Sequence, residues 1–186
     1  SDKEAKQKLN ARLYARIPFE RKKKRNPFKK NRKAILITSL KTSFFYRESI
    51  NKLRSKVEAS SQKHGYTSFM ITSAHENEGK SSVGANLALA LAKNGHKTIL
   101  VDMDFRKPSL NKIFELKTNT SLNNAIEGKA HWKSQVVTLD HPGLDLLPCQ
   151  QDLKNSEKLT GSNRLKAIVE ELKGEYDYVI VDVSPA

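Results

Sequence analysis

Three short runs, Ser68–Ser73, Thr98–Asp102 and Tyr178–Asp182, are apolar without the in-and-out alternation of a half-exposed strand. Strands of that kind must be covered on both faces, and the segments between them read as helices. The pattern therefore selects an α/β architecture, a mostly parallel sheet with helices on both faces. The helix Lys80 to Asn94 carries Val83, Leu87 and Leu91 at four-residue spacing and stops at Gly95. A second helix, Asn163 to Lys173, gathers Leu165, Ile168, Val169 and Leu172 on one face. Ahead of the sheet, Tyr46, Ile50, Leu53 and Val57 form one apolar stripe, predicting a helix over 44–61. Short helices are expected around Leu110–Phe114 and Ser121–Ile126. Two short strands, Gln135–Thr138 and Leu144–Leu147, should flank the turn His141-Pro142-Gly143.

In an open parallel sheet, ligands bind beyond the carboxyl ends of the strands, and each of the three runs ends there in a polar feature. Ser73-Ala74-His75-Glu76-Asn77-Glu78-Gly79-Lys80-Ser81-Ser82 matches the back half of a P-loop, with Ala74 where the first glycine usually stands. Gly79 permits close backbone approach to phosphate at a helix N-terminus, joined by Ser82 in the first turn. Lys80 can reach β- and γ-phosphates, and the Ser81 hydroxyl can ligate Mg²⁺. The second run delivers Asp102 and Asp104 at spacing two, so that both can face the crevice. The third delivers Asp182, as a Walker B strand does. A carboxylate at the end of a buried strand must be solvated, paired or bound to metal. The shared order of these features points to ATP and Mg²⁺.

The charge is lopsided. Residues 1–33 hold 14 Lys/Arg and 3 acids, net +11, whereas residues 34–186 hold 20 and 17, net +3. This divides the chain into a basic arm, 1–40, and a globular part, 41–186. Like charges at that density repel, so an arm rather than a packed element is expected. Anionic lipid headgroups and nucleic acid phosphates attract such a segment equally well. Tyr14, Ile17, Phe19 and Phe28 interleave with the charges and suit insertion at headgroup level. A single cysteine, Cys149, excludes an internal disulfide framework. No apolar run approaches the ~18–20 residues of a membrane span, and the simplest placement is cytoplasmic. The five histidines show no metal-ligand spacing.

From about Glu48 to Ala186 the residues resemble the bacterial tyrosine kinases that accompany polysaccharide chain-length regulators, within the deviant P-loop ATPases that include ParA and MinD. The most specific match is Val101-Asp102-Met103-Asp104-Phe105-Arg106-Lys107-Pro108, which fits the family's Walker A′ segment. Leu122–Gly128, Leu147–Cys149 and Leu159–Ser162 resemble further family stretches. The resemblance implies an autophosphorylating, ATP-dependent protein-tyrosine kinase regulating capsular or exopolysaccharide synthesis. Lys80 and Ser81 would be the Walker A lysine and magnesium ligand. Asp102 would contact Mg²⁺ and orient or deprotonate the attacking tyrosine hydroxyl. Asp104 would support the metal shell, and Asp182 would be the Walker B carboxylate. Glu48 and Arg54 match two positions of a helix through which family members contact neighbouring subunits in a ring.

The resemblance also implies a membrane-anchored activator and places the basic arm beside the inner face of the membrane, with nucleic acid not expected as a partner. Glu76-Asn77 stands where the family has Pro-Gly, and Asn51 replaces the middle arginine of the contact helix. The family's later strands, base-binding residues and tyrosine cluster are not among these 186 residues, which implies the N-terminal part of a longer kinase. A ParA/MinD-type partitioning ATPase is the alternative, although His75 stands where those proteins carry an extra lysine. A non-catalytic nucleotide-binding adaptor is another.

Overall fold

The computed structural model describes residues 13–20 and 34–185. Its elements run α1 (Phe44–His64), β1 (Ser68–Ile71), α2 (Lys80–Lys93), β2 (Thr98–Met103), α3 (Leu110–Ile113) and α4 (Leu122–Ile126). A 3₁₀ turn at Trp132–Gln135 leads to β3 (Val137–Thr138), β4 (Leu144–Leu147), α5 (Ser156–Thr160), α6 (Asn163–Glu175) and β5 (Tyr178–Val183). The five strands form one sheet in the order β1-β5-β2-β4-β3. All neighbours are parallel except β3, which pairs antiparallel with β4.

Successive side chains of a strand point to opposite faces, and the core divides accordingly. Leu100, Leu144, Leu146, Tyr178 and Ile180 pack with α1 and the Ala/Leu face of α2. Ile99, Val101, Leu147, Val179 and Val181 pack with Leu165, Ile168 and Leu172 of α6 and with α4. This is the two-sided burial that the unalternating runs require.

The helices end where local chemistry stops them. Ser43 caps α1 by accepting from the Tyr46 amide at 3.2 Å, and Gly65, at φ 71°, donates to the Ser61 carbonyl. The helix therefore runs to His64, three residues beyond the sequence expectation. Gln135 belongs to the 3₁₀ turn, so β3 is shorter than expected, and α5 was not foreseen at all.

The segment preceding α1 is tied to the body. Ile17, Ile35 and Leu36 pack against the core, so residues 13–20 do not form the free arm that charge alone suggests. The tie is centred on Asn86 of α2, which is fully buried. Its Oδ1 accepts from the Ile37 amide at 2.7 Å, and its Nδ2 donates to the carbonyls of Ile35 and Ser82, each at 2.8 Å. The Tyr46 hydroxyl lies 3.2 Å from the same Nδ2. One side chain thus joins the N-terminal segment, α1 and the start of α2. Asn86→Ala leaves these buried groups unpaired, and a loss of about 2–4 kcal/mol is expected in urea unfolding. A change below 0.5 kcal/mol would show that this junction does not stabilise the fold.

Candidate nucleotide site

The polar features ending β1, β2 and β5 meet at one edge of the sheet, because parallel strands with crossover helices place their carboxyl ends together. β2 and β5 pair with Asp102 directly beside Asp182. The loop after β1 spans residues 72–79 and enters α2 at Gly79, whose φ of 88° is left-handed. Asn77 is also left-handed, at φ 64°, a conformation that asparagine tolerates better than most residues. It stands where the family has glycine, so the departure in sequence keeps a backbone that can make the turn. The loop is braced by its own groups. Ser73 Oγ donates to the His75 carbonyl at 2.8 Å, and the His75 amide donates to Glu78 at 3.1 Å. Lys107 Nζ reaches Glu76 at 2.9 Å.

Lys80 extends from the first turn of α2 into this edge. Its ammonium lies 2.7 Å from Asp182 Oδ1 and 3.3 Å from Asp104 Oδ2, with a further 3.3 Å contact to Ser81 Oγ. Only 7% of the lysine side chain is exposed and none of Asp182's. Burial raises the pKa of Asp182, while Lys80 and the nearby Ser81 hydroxyl act against the shift. Its second oxygen, Oδ2, is buried with no hydrogen-bond partner. Burial also opposes ionisation of Asp104, but the Ser184 hydroxyl, the Lys107 amide and Lys80 together hold it below the ordinary carboxylate range.

Asp102 sits behind this pair. Its Oδ1 accepts from the Asp104 amide at 3.1 Å, and its Oδ2 from the amides of Ser109 and Leu110 at 3.3 and 3.2 Å. These bonds fold the 104–110 turn around the carboxylate. Burial, then the charge of Asp182, raises its pKa to about 7, with the backbone amides pulling the other way. The residue can therefore change protonation near neutrality.

Gly79, Lys80, Ser81, Ser82, Asp102, Asp104 and Asp182 are thus brought to one place, and among the carboxylates Asp104 and Asp182 touch the lysine directly. Ser82 contributes its carbonyl to Asn86. Glu48 and Arg54 lie elsewhere, on α1. Glu48 is exposed, while Arg54 makes two bonds to Glu58, at 2.8 and 2.6 Å. Sequence reasoning missed Ser184, whose hydroxyl donates to Asp104 Oδ1 at 2.9 Å. Its position two residues beyond Asp182, on the same side of an extended chain, was the available signal. It also missed the second contact of Lys107, whose amide donates to Asp104 Oδ1 at 3.0 Å.

The donor set suits a hard divalent cation. Ser81 and the carboxylates offer oxygen, and Asp182 Oδ2 is an unsatisfied buried acceptor. Among the described residues no three His, Cys, Asp or Glu side chains form a metal-holding group. Magnesium needs none, since it is usually held by one or two carboxylates together with substrate phosphates and water.

Comparison with known proteins places this arrangement. Residues 71–186 match the AAA domain family. The chain is 31% identical over 138 residues to a protein named putative tyrosine-protein kinase CapB of Staphylococcus aureus, covering 74% of this chain and 60% of that one. It is 33% identical, also over 138 residues, to tyrosine-protein kinase YwqD of Bacillus subtilis, covering 74% and 58%. The chain thus spans about three fifths of the length of these relatives. Among solved structures, the chimerical protein CapA2B2 superposes with a TM-score of 0.83 at 24% identity, over all of this chain and 76% of the other, a likeness of fold. The septum site-determining protein MinD of Pyrococcus horikoshii, complexed with Mg-ADP, superposes at 0.56 and 25% identity over 64% of this chain and 49% of the other. The chain belongs to the AAA domain family of P-loop proteins, in the group that unites the bacterial tyrosine kinases with their MinD- and ParA-like relatives.

Proposed function

We propose that this chain is the nucleotide-binding part of an ATP-dependent protein-tyrosine kinase acting in capsular or exopolysaccharide synthesis. The observation that carries the proposal is the meeting of Lys80 with Asp104 and Asp182 beside a left-handed phosphate loop. Relatives named tyrosine-protein kinases support the choice of reaction, and the superposition on CapA2B2 extends over more of the chain than that on MinD.

In this reading Lys80 leaves the carboxylates to hold the β- and γ-phosphates, and the amides of Gly79 to Ser82 line the same anion. Ser81, Asp102 and Asp182 would hold Mg²⁺, which would supply neutralisation of phosphate charge. Phosphoryl transfer asks chiefly for positioning and charge stabilisation. Asp102 orients the tyrosine hydroxyl and takes its proton as the phenolic oxygen bonds to the γ-phosphorus and the bond to ADP breaks. Asp104, fixed by Ser184 and Lys107, keeps the loop in register.

Glu48, with Arg54, serves contact between subunits of a ring. The basic N-terminal part, 1–40, lies against the inner face of the membrane, close to a membrane-anchored chain-length regulator that activates the kinase. The protein is cytoplasmic and membrane-associated. No described helix is long and apolar enough to cross a bilayer. Incubation with γ-labelled ATP, magnesium and a tyrosine-containing acceptor peptide is expected to label tyrosine alone. Label on serine, or none on any residue despite tight nucleotide binding, would contradict the proposal.

A further inference from the structure

The turn preceding α1 carries an unusual surface. Leu40 is 97% exposed, Phe19 89%, Phe45 76% and Phe44 64%. Their chain segments are held together. Glu20, next to Phe19, accepts from the Ser43 amide at 3.0 Å and from its hydroxyl at 2.6 Å, immediately before Phe44. The Phe44 and Phe45 rings meet edge to face with centroids 6.0 Å apart. Leu40 stands at the tip of a turn closed by bonds from the Ser39 amide and the Thr42 hydroxyl to the Leu36 carbonyl, at 3.0 and 2.6 Å. Neighbouring Ile37, Thr42 and Tyr46 are buried. Four large apolar side chains are therefore exposed on a backbone that Ile37, Thr42 and Tyr46 anchor to the body. Exposed apolar clusters of this kind mark interaction sites.

Charge identifies the occupant. Lys41 is exposed within the turn, and residues 21–33, which follow Glu20 directly, contain nine Lys/Arg and no acid. A second copy meeting this patch with its own would bring the same positive charge to the contact and be repelled. An anionic bilayer offers negative headgroups and an apolar phase at adjacent depths, which together suit basic and aromatic side chains. We infer that Phe19, Leu40, Phe44 and Phe45 form an apolar wedge that enters an anionic lipid surface at the headgroup–acyl boundary and fixes the orientation of α1 against it. The inference rests on the proposed membrane association and adds the residues that make it more than electrostatic.

The test is co-sedimentation of the chain with phosphatidylcholine vesicles, with and without phosphatidylserine. The unmodified chain is expected to pellet with the serine lipid and to keep part of that binding at high salt. In Phe44→Ser/Phe45→Ser the affinity should fall on the order of tenfold or more, from the lost apolar burial, and the salt-resistant part should vanish. Both side chains face solvent, so far-UV circular dichroism should not change. In a Phe45→Trp variant, brominated acyl chains should quench the new fluorescence while leaving the buried Trp132 of the unmodified chain unaffected. Equal binding by the double variant with no quenching of Trp at position 45 overturns the wedge and leaves the electrostatic association standing. No binding of the unmodified chain to serine-containing vesicles overturns both. A double variant that loses self-association in sedimentation velocity while binding vesicles normally would make the patch a protein interface instead.

Discussion

Lys80→Met is expected to remove phosphotransfer, by at least about a thousandfold, and also to destabilise the nucleotide-free protein by about 3–5 kcal/mol. The second effect follows from where the ammonium sits. It pairs with Asp182 at 2.7 Å and Asp104 at 3.3 Å in a nearly closed environment. Methionine fills the space but leaves two buried carboxylates without their counter-charge, and Asp182 already has one oxygen unpartnered. Urea unfolding of the variant without nucleotide measures the loss. An unchanged midpoint would mean that the pair is not formed in solution. Adding Asp182→Asn to Lys80→Met should restore part of the stability and none of the activity, because it removes the buried charge without returning the phosphate-binding cation. A loss of activity in Lys80→Met alone therefore needs a fold control before it is read as chemistry.

The second large effect concerns Asp102. Replacing it by alanine is expected to lower the rate of phosphotransfer by about 10²–10⁴-fold, the range of a lost general base. It also changes how stability responds to pH. Burial and the neighbouring Asp182 charge raise Asp102 from an ordinary 3.8 to about 7, so the folded state binds this proton more tightly than the unfolded state. The stabilisation it brings is complete below about pH 4 and is lost as pH rises through about 7, on the order of 2–4 kcal/mol. Asp182 is shifted in the same direction. Asp104 and Glu58 are shifted oppositely, and their contributions disappear below the ordinary carboxylate range, outside that window. The nucleotide-free protein should thus unfold at lower urea concentration at pH 8 than at pH 5, and Asp102→Ala should flatten that slope. A stability that rises steadily over the same interval would contradict the burial of Asp102 as an uncompensated charge.

The parts of the fold legible in sequence were those governed by periodicity. Val179, Ile180 and Val181, or Ile99, Leu100 and Val101, have no polar face to show to water, and the sheet buries both sides of each strand. The α2 and α6 helices announce themselves by spacing and by their stop and cap residues. Less legible were features decided by tertiary contact. Residues 13–20 read as part of a charged arm because they stand between two lysine- and arginine-rich segments, although they hold one cation themselves; Ile17 finds a place in the core. Asn86 lies in an Ala/Leu helix where nothing in the local pattern signals a polar junction 49 residues away from Ile37.

The site was legible as a set of positions but not as a geometry. Spacing put Asp102 and Asp104 on one side of the strand end. It did not say that Asp104 would reach Lys80 while Asp102 turned inward to backbone amides. Nor did it show that Arg54 is already engaged by Glu58, a matter of rotamers on the α1 surface. Phe28 and the run Arg21–Lys30 lie outside the described residues.

A crystal structure of the chain grown with magnesium and ADP addresses the account most directly. The account predicts diphosphate against the amides of Gly79 to Ser82, the Lys80 ammonium moved from Asp182 onto the β-phosphate, and metal density between Ser81 and the freed carboxylate. Nucleotide bound away from the ends of β1, β2 and β5, with Lys80 still bridging Asp104 and Asp182, would contradict it.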